Sequence, residues 1–174
     1  LQDFRFGSLR EAQRAFRKGC KGAMNPAIIV VDMVKDNMKP EYAISAQIRC
    51  ILPSIQKLLK EARNRGHRVI YACDSYREKD FIFQGRMKPH SLEGTPGAEV
   101  MDELAPTSED VMVRKRRFSA FFETGLDRIL RTHDVDTIVI SGVTTQFCVL
   151  MTALDGVCHD FRVIVLEDCC TSHR

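Results

Sequence analysis

The chain has 174 residues, 44% of them hydrophobic and 28% charged, with a formal net charge of +3. That balance is ordinary for one soluble globular domain large enough to bury a core. No apolar run approaches the roughly 18 residues that a membrane span needs, and the first residues lack the apolar stretch of a secretory signal, so the expected compartment is the reducing cytoplasm.

The positive charge is concentrated at one end. Residues 1–25 contain Arg5, Arg10, Arg14, Arg17, Lys18 and Lys21 against Asp3 and Glu11, a local net of +4, whereas residues 26–174 sum to −1. A neutral body with a basic leader is not a nucleic-acid binder on charge grounds. The seven cysteines, Cys20, Cys50, Cys73, Cys148, Cys158, Cys169 and Cys170, form no CxxC pair, so neither a zinc knuckle nor a thioredoxin-type site is legible. Most are expected to be small buried apolar side chains.

In chain order, the leader LQDFRFGSLREAQRAFRKGCKGAMNP shows a weak amphipathic stripe at Leu9, Ala12 and Phe16. It is expected to be an appended or peripheral extension (residues 1–25), with the domain occupying 26–174. AIIVVD (27–32) is a continuous apolar run, the pattern of a strand covered on both faces. Ile44, Ile48, Ile51, Leu52, Ile55, Leu58, Leu59 and Ala62 then fall at helical spacing, with Pro53 predicting a kink or a restart and Gly66 a stop. RVIYACD (68–74) is a second strand, followed by the turn-rich segment SYREKDFIFQGRMKPHSLEGTPGAEV and a third strand, VMVRK (111–115).

Thr124 and Asp127 suggest a cap for a helix carrying Leu126, Ile129 and Leu130. DTIVISG (136–142) is a fourth strand. Phe147, Leu150, Met151, Leu154 and Val157 mark another helix, and FRVIVLED (161–168) is a fifth strand. Strands alternating with helices predict an α/β fold: a three-layer αβα, Rossmann-like open parallel sheet of about five to six strands with helices on both faces. A further helix and strand are expected beyond the fifth strand.

In such a sheet, ligands bind beyond the carboxyl ends of the strands. Asp32, Asp74 and Lys115 stand at three of those ends and Cys148 just past a fourth. A cysteine in the first turn of a helix, near an ammonium, is expected to favour its thiolate. Asp32 could take the thiol proton and return it to a leaving amine, and the amides of the turn GVTTQFC could hold an oxyanion. The set suits acyl transfer from a C–N bond through a thioester. Other readings of each residue stay open: Asp32 as a cap for the next segment, RKRR (114–117) as a solvated face or a basic localisation patch, Cys148 as core. A phosphotransfer reading of VVDMVKD fails because Val34 stands where a second aspartate is needed.

IIVVDMVKD (28–36), HSLEGTPGAEV (90–100), VRKRRFSAFFETGLD (113–127) and GVTTQFCVLMTALD (142–155) together resemble the isochorismatase-like cysteine hydrolases, which include nicotinamidases, N-carbamoylsarcosine amidases and ureidoacrylate amidases. The likeness runs over roughly residues 26–171. It implies a catalytic triad of Asp32, Lys115 and Cys148, a cis peptide between Val143 and Thr144, and an oxyanion hole from the amides of Thr144 and Cys148. It also implies a small-molecule amide substrate and a homo-oligomer, a dimer or tetramer.

Two departures from the family pattern bear on substrate and metal. The Asp-x-His pair of the metal site is Asp74-Ser75-Tyr76 here, leaving Asp74 and His90 as candidate metal ligands, thin for a transition metal such as zinc. Asp36, Asn37 and Met38 stand where an aromatic wall for a pyridine ring is common. Phe118, Phe121 and Phe147 are candidate substrate-binding residues, with core packing as the alternative. The expected function is therefore a cysteine amidohydrolase for a small carbamoyl, ureido or other amide, requiring no cofactor or else a divalent metal. The alternatives are a nicotinamidase and, from another class, a catalytically silent assembly scaffold.

Overall fold

A computed structural model describes residues 4–16 and 24–173. Cys20 and the leader residues Arg17, Lys18 and Lys21 lie outside the described residues. The continuous apolar runs become largely buried strands: β2 (Pro26–Val31), β3 (Arg68–Asp74), β5 (Thr137–Val143) and β6 (Arg162–Thr171, exposed only at Arg162, Glu167 and Asp168), with the shorter β4 (Val111–Lys115) at one edge. All pair in parallel. The fifth predicted strand extends to Thr171, so Cys169 and Cys170 are its last turns of pleat. Cys169 enters the core on one side of the sheet and Cys170 on the other.

The structure differs from the expectation for the leader over the stretch it describes. Phe4–Gly7 forms β1, a parallel edge strand on β6, and the helix α1 (Leu9–Ala15) follows. Leu9, Ala12 and Phe16, the weak stripe, are buried in the same core as the long helix α2 (Ile44–Asn64). Asp168 of β6 accepts the Leu9 N–H at 2.9 Å, which ties the start of α1 to the sheet. Four residues of strand in a basic segment carry too weak a pattern to announce themselves, and their partner lies more than 150 positions away.

The sheet order is β1-β6-β5-β2-β3-β4. α1 and α2 cover one face; α3 (Leu126–Thr132) and α4 (Leu150–Cys158) cover the other. α2 runs unbroken through Pro53 because the ring sits on the exposed side of the helix, where the Arg49 carbonyl it leaves unpaired can reach water. Gly125, not Thr124, precedes α3; the Thr124 hydroxyl still accepts the Leu126 N–H at 3.2 Å. The chain leaves β2 toward β3 and β4 on one side and later places β5 and β6 on the other, with β6 lying beside the earlier β1. The reversal between β2 and β5 opens a crevice at the carboxyl ends of those two strands, where open α/β sheets hold ligands.

Candidate active site

Each chemically active residue is delivered by the end of a strand. Asp32 follows β2 with φ of +50°, a left-handed conformation that aspartate tolerates better than most side chains. Gly142, one strand away, has φ of +111°, and a Cβ there would collide with the Val31 backbone, so only glycine lets β5 approach β2 this closely. The peptide between Val143 and Thr144 is cis, as the resemblance implied. A wide helical turn, Thr145–Val149, then carries Cys148, and α4 begins only after it.

Strand alternation sorts the basic run RKRR. Arg114 and Arg116 point outward, to Glu99 at 2.9 Å and to Asp80 respectively, while Lys115 is 1% exposed. Neither a solvated face nor a localisation patch describes that lysine. Its ammonium lies 2.8 Å from Asp32 Oδ2, 2.5 Å from Asp74 Oδ1, 3.4 Å from Cys148 Sγ and 3.2 Å from the Arg117 carbonyl. The second oxygen of Asp32, Oδ1, accepts the Asp74 N–H at 2.8 Å, and Asn37 Nδ2 donates to the Asp32 carbonyl at 2.8 Å. Asp32 therefore does not cap the following segment; both of its oxygens face the cluster.

Burial governs ionisation here. Desolvation, reinforced by the Asp74 carboxylate and opposed by Lys115, pushes Asp32 up to about 7. Burial and the Asp32 charge likewise hold the Cys148 thiol well above its ordinary value, and Lys115 only partly offsets them. This corrects the expectation of a thiolate favoured by the helix terminus and the ammonium. Burial also pulls on Lys115, but the charges of Asp32 and Asp74 outweigh it and keep the ammonium. The resting arrangement is a thiol, an ammonium and a carboxylate poised near neutrality, so the thiol must lose its proton during attack rather than before it.

The three candidate phenylalanines separate. Phe118 and Phe147 stack at 5.5 Å between centroids and are 37% and 49% exposed, with Phe147 next to the cysteine. Phe121 is 7% exposed, stacks on His159 and Phe161, and belongs to the core between the sheet and α3. Its ring packs into the core rather than lying open beside Phe118 and Phe147. The positions expected to form a ring wall brace loops instead: Asp36 is buried and accepts the Ser91 N–H at 2.6 Å. An open cleft of about 480 Å³, bordered by Lys35, Lys39 and His90, is not lined by Asp32, Lys115 or Cys148. Contact chemistry, not cleft volume, locates the site.

Two arrangements could hold a metal. Asp32, Asp74 and Cys148 bring ligand atoms within 4.8 Å of one another, but the Lys115 ammonium already pairs with both carboxylates and fills the cation's place. At the position implied by the resemblance, His90 directs Nδ1 at the Lys88 carbonyl at 2.9 Å, an orientation that leaves Nε2 for a ligand. Asp74, however, is committed to Lys115, and Tyr76 stands in the second position with a phenol that burial and the Asp74 charge hold protonated. One histidine and a shared carboxylate do not fit a tetrahedral zinc site.

The described geometry matches known proteins. Residues 26–174 match the Isochorismatase domain. N-carbamoylsarcosine amidase of Arthrobacter sp is 27% identical over 172 residues, covering 93% of this chain and 65% of that protein, so the chain spans just under two thirds of that relative's length. A protein of Arabidopsis thaliana named probable inactive nicotinamidase is 36% identical over 162 residues, covering 83% of this chain and 79% of its own. Among solved structures, N-carbamoylsarcosine amidase from Thermoplasma acidophilum superposes with a TM-score of 0.77 at 34% identity, covering 85% and 84% of the two chains. Pyrazinamidase of Pyrococcus horikoshii, in complex with zinc, gives 0.78 at 29% identity, covering 86% and 88%. The relatives named for a reaction are amidohydrolases of small amides, the chemistry that the strand-end cluster can perform. With the domain match spanning all but the leader and the parallel sheet shared with these structures, the chain belongs to the isochorismatase family.

Proposed function

We propose that this protein is a cysteine hydrolase that cleaves the C–N bond of a small non-peptide amide, carbamoyl or ureido compound through a thioester on Cys148. The observation that carries the reading is the single contact set in which Lys115 touches Asp32, Asp74 and Cys148. Asp32 accepts the Sγ proton as Sγ attacks the carbonyl carbon. The oxyanion is received by the amides of Thr144 and Cys148, where the first N–H groups of a helical segment lack intrahelical partners. Asp32 returns the proton to the departing amine or ammonia. Water, deprotonated by the same carboxylate, then adds to the thioester; the C–S bond breaks, and the Cys148 thiolate takes back the proton from Asp32 as the acid product leaves. Lys115 remains an ammonium throughout and balances the charge that passes between Asp32 and sulfur. No step needs a metal.

The pH profile tests the assignment of the base. Below about 7 Asp32 is protonated and cannot accept the thiol proton, so kcat/KM should fall on the acid side with an apparent pKa near 7 and level off above it. A flat rate between pH 5 and 8 on a non-ionising substrate would remove Asp32 from this role. A panel of linear amides, ureides and nicotinamide, read by ammonia release, identifies the substrate class; nicotinamide is disfavoured by the missing ring wall. The name of the Arabidopsis relative supports a second reading, a catalytically silent member. The complete contact set around Lys115 argues against it, and the panel decides.

The same reading includes self-assembly in a reducing compartment. Phe147, Leu150, Met151 and Leu154 fall at one helical face and are all exposed beside the cysteine. Contiguous apolar surface of this kind suits a second copy of the chain. Sedimentation should give a mass of two or four chains, and Met151→Asp with Leu154→Asp should shift it toward one. Among the described residues the six cysteines are free thiols, in keeping with the cytoplasm, and no helix is long and apolar enough to cross a membrane.

A further inference from the structure

Tyr76 stands where the family's metal-binding pair would place a histidine, and it is one of the largest side chains buried completely, 1% exposed. It lies two residues beyond Asp74, and in extended chain that spacing sends its side chain to the same side as the Asp74 carboxylate, which pairs with Lys115. Its backbone is clamped by two hydrogen bonds to the 91–93 segment: its N–H donates to the Ser91 carbonyl at 3.0 Å, and its carbonyl accepts from the Glu93 N–H at 2.8 Å. Its ring is fixed edge-on by Phe83 at 5.2 Å and His90 at 5.6 Å. The hydroxyl has no hydrogen-bond partner among the described residues, yet it is not one of the polar atoms sealed from solvent. A rigidly held donor that opens on the reactive cluster without a partner is a group kept for a ligand.

We propose that Tyr76 is a specificity-determining residue whose phenol donates a hydrogen bond to a second acceptor oxygen on the substrate, a carboxylate or ureido carbonyl beside the scissile amide, in the place where relatives use a metal. The inference rests on the amidohydrolase reading above. A phenol keeps its proton at neutral pH, so it offers a donor and not an anion. A neutral donor selects for an acceptor and gives nothing to a plain alkyl amide. Pairing an otherwise unpaired buried group is also a strong source of discrimination.

Tyr76→Phe removes one oxygen and keeps the ring against Phe83 and His90; circular dichroism and the melting temperature check that the fold is intact. Two compound groups are compared: amides with a second acceptor oxygen (N-carbamoyl amino acids, monoamides of dicarboxylic acids) and simple aliphatic amides without one. Two quantities are read: kcat/KM from ammonia release, and the concentration of each compound that protects Cys148 from iodoacetamide, followed by peptide mass spectrometry. For the first group kcat/KM should fall about ten- to a hundredfold, mostly through KM and with a matching rise in the protecting concentration. For the second group it should fall far less. Equal losses in both groups, or none in either, overturn the proposal while leaving the hydrolase reading intact. A wild-type protein that neither hydrolyses nor is protected by any compound overturns the hydrolase reading itself. Retention of one zinc per chain after dialysis against a competing chelator, lost in His90→Ala, would show that the phenol does not replace the metal and also overturns the proposal.

Discussion

Cys148→Ala should abolish ammonia release, lowering kcat by about 10⁴-fold or more, because no other nucleophile stands within the cluster. The fold should survive. The thiol is held neutral by burial against a carboxylate and an ammonium, and exchanging it for a methyl group removes a polar atom from a crowded charged site. Sites assembled for chemistry are commonly stability costs, so the melting temperature should stay level or rise. Steady-state assay and thermal denaturation of the same preparation check both halves. Activity within tenfold of the wild type would end the thioester mechanism, and Cys50 and Cys158, the exposed thiols, would not rescue it because neither belongs to the contact set around Lys115.

Lys115→Met should be the most damaging single change in the site, for activity and for stability together. The lysine is 1% exposed and joins two buried carboxylates. Removing its charge leaves Asp32 and Asp74 adjacent and unpaired, a loss of about 3–5 kcal/mol on the scale of broken buried ion pairs. In the variant Asp32, with the opposing ammonium gone, should have a folded-state pKa still further above its unfolded one. Such groups stabilise the fold below the unfolded pKa, and that contribution disappears as pH rises through the folded value. The variant should therefore be closest to wild-type stability near pH 5 and weakest above 7. Urea titrations at the two pH values measure this. A uniform loss across that range would mean that the lysine serves packing alone.

Much of this site was legible from the sequence. The apolar runs 27–32, 68–74 and 136–142 have no polar alternation, so they had to be central strands of a covered parallel sheet. Once strands and helices alternate, Asp32, Asp74, Lys115 and the turn before Cys148 necessarily gather at one edge. The match of HSLEGTPGAEV and its companion motifs to a known family extended that placement to the Val143–Thr144 peptide, which the structure shows as cis. Asp74 was legible as a strand-end residue but was assigned to a metal, because nothing in RVIYACD tells that its carboxylate will meet a lysine 41 positions later.

What the sequence by itself determined was the identity and order of the reactive groups, since local periodicity sets each strand and its end. Three things were decided only by the tertiary structure. Phe4–Gly7 became an edge strand because β6 offered an open side to it, a pairing between distant segments. Phe121 entered the core while Phe118 and Phe147 stayed at the surface, since which face of a loop meets the sheet depends on the elements packed around it. The ionisation of the cluster also reversed the local expectation. A helix terminus and an ammonium favour a thiolate, but withdrawing Cys148 and Asp32 from water costs the charged forms more than those neighbours return, and burial exists only once the whole chain has closed over the site.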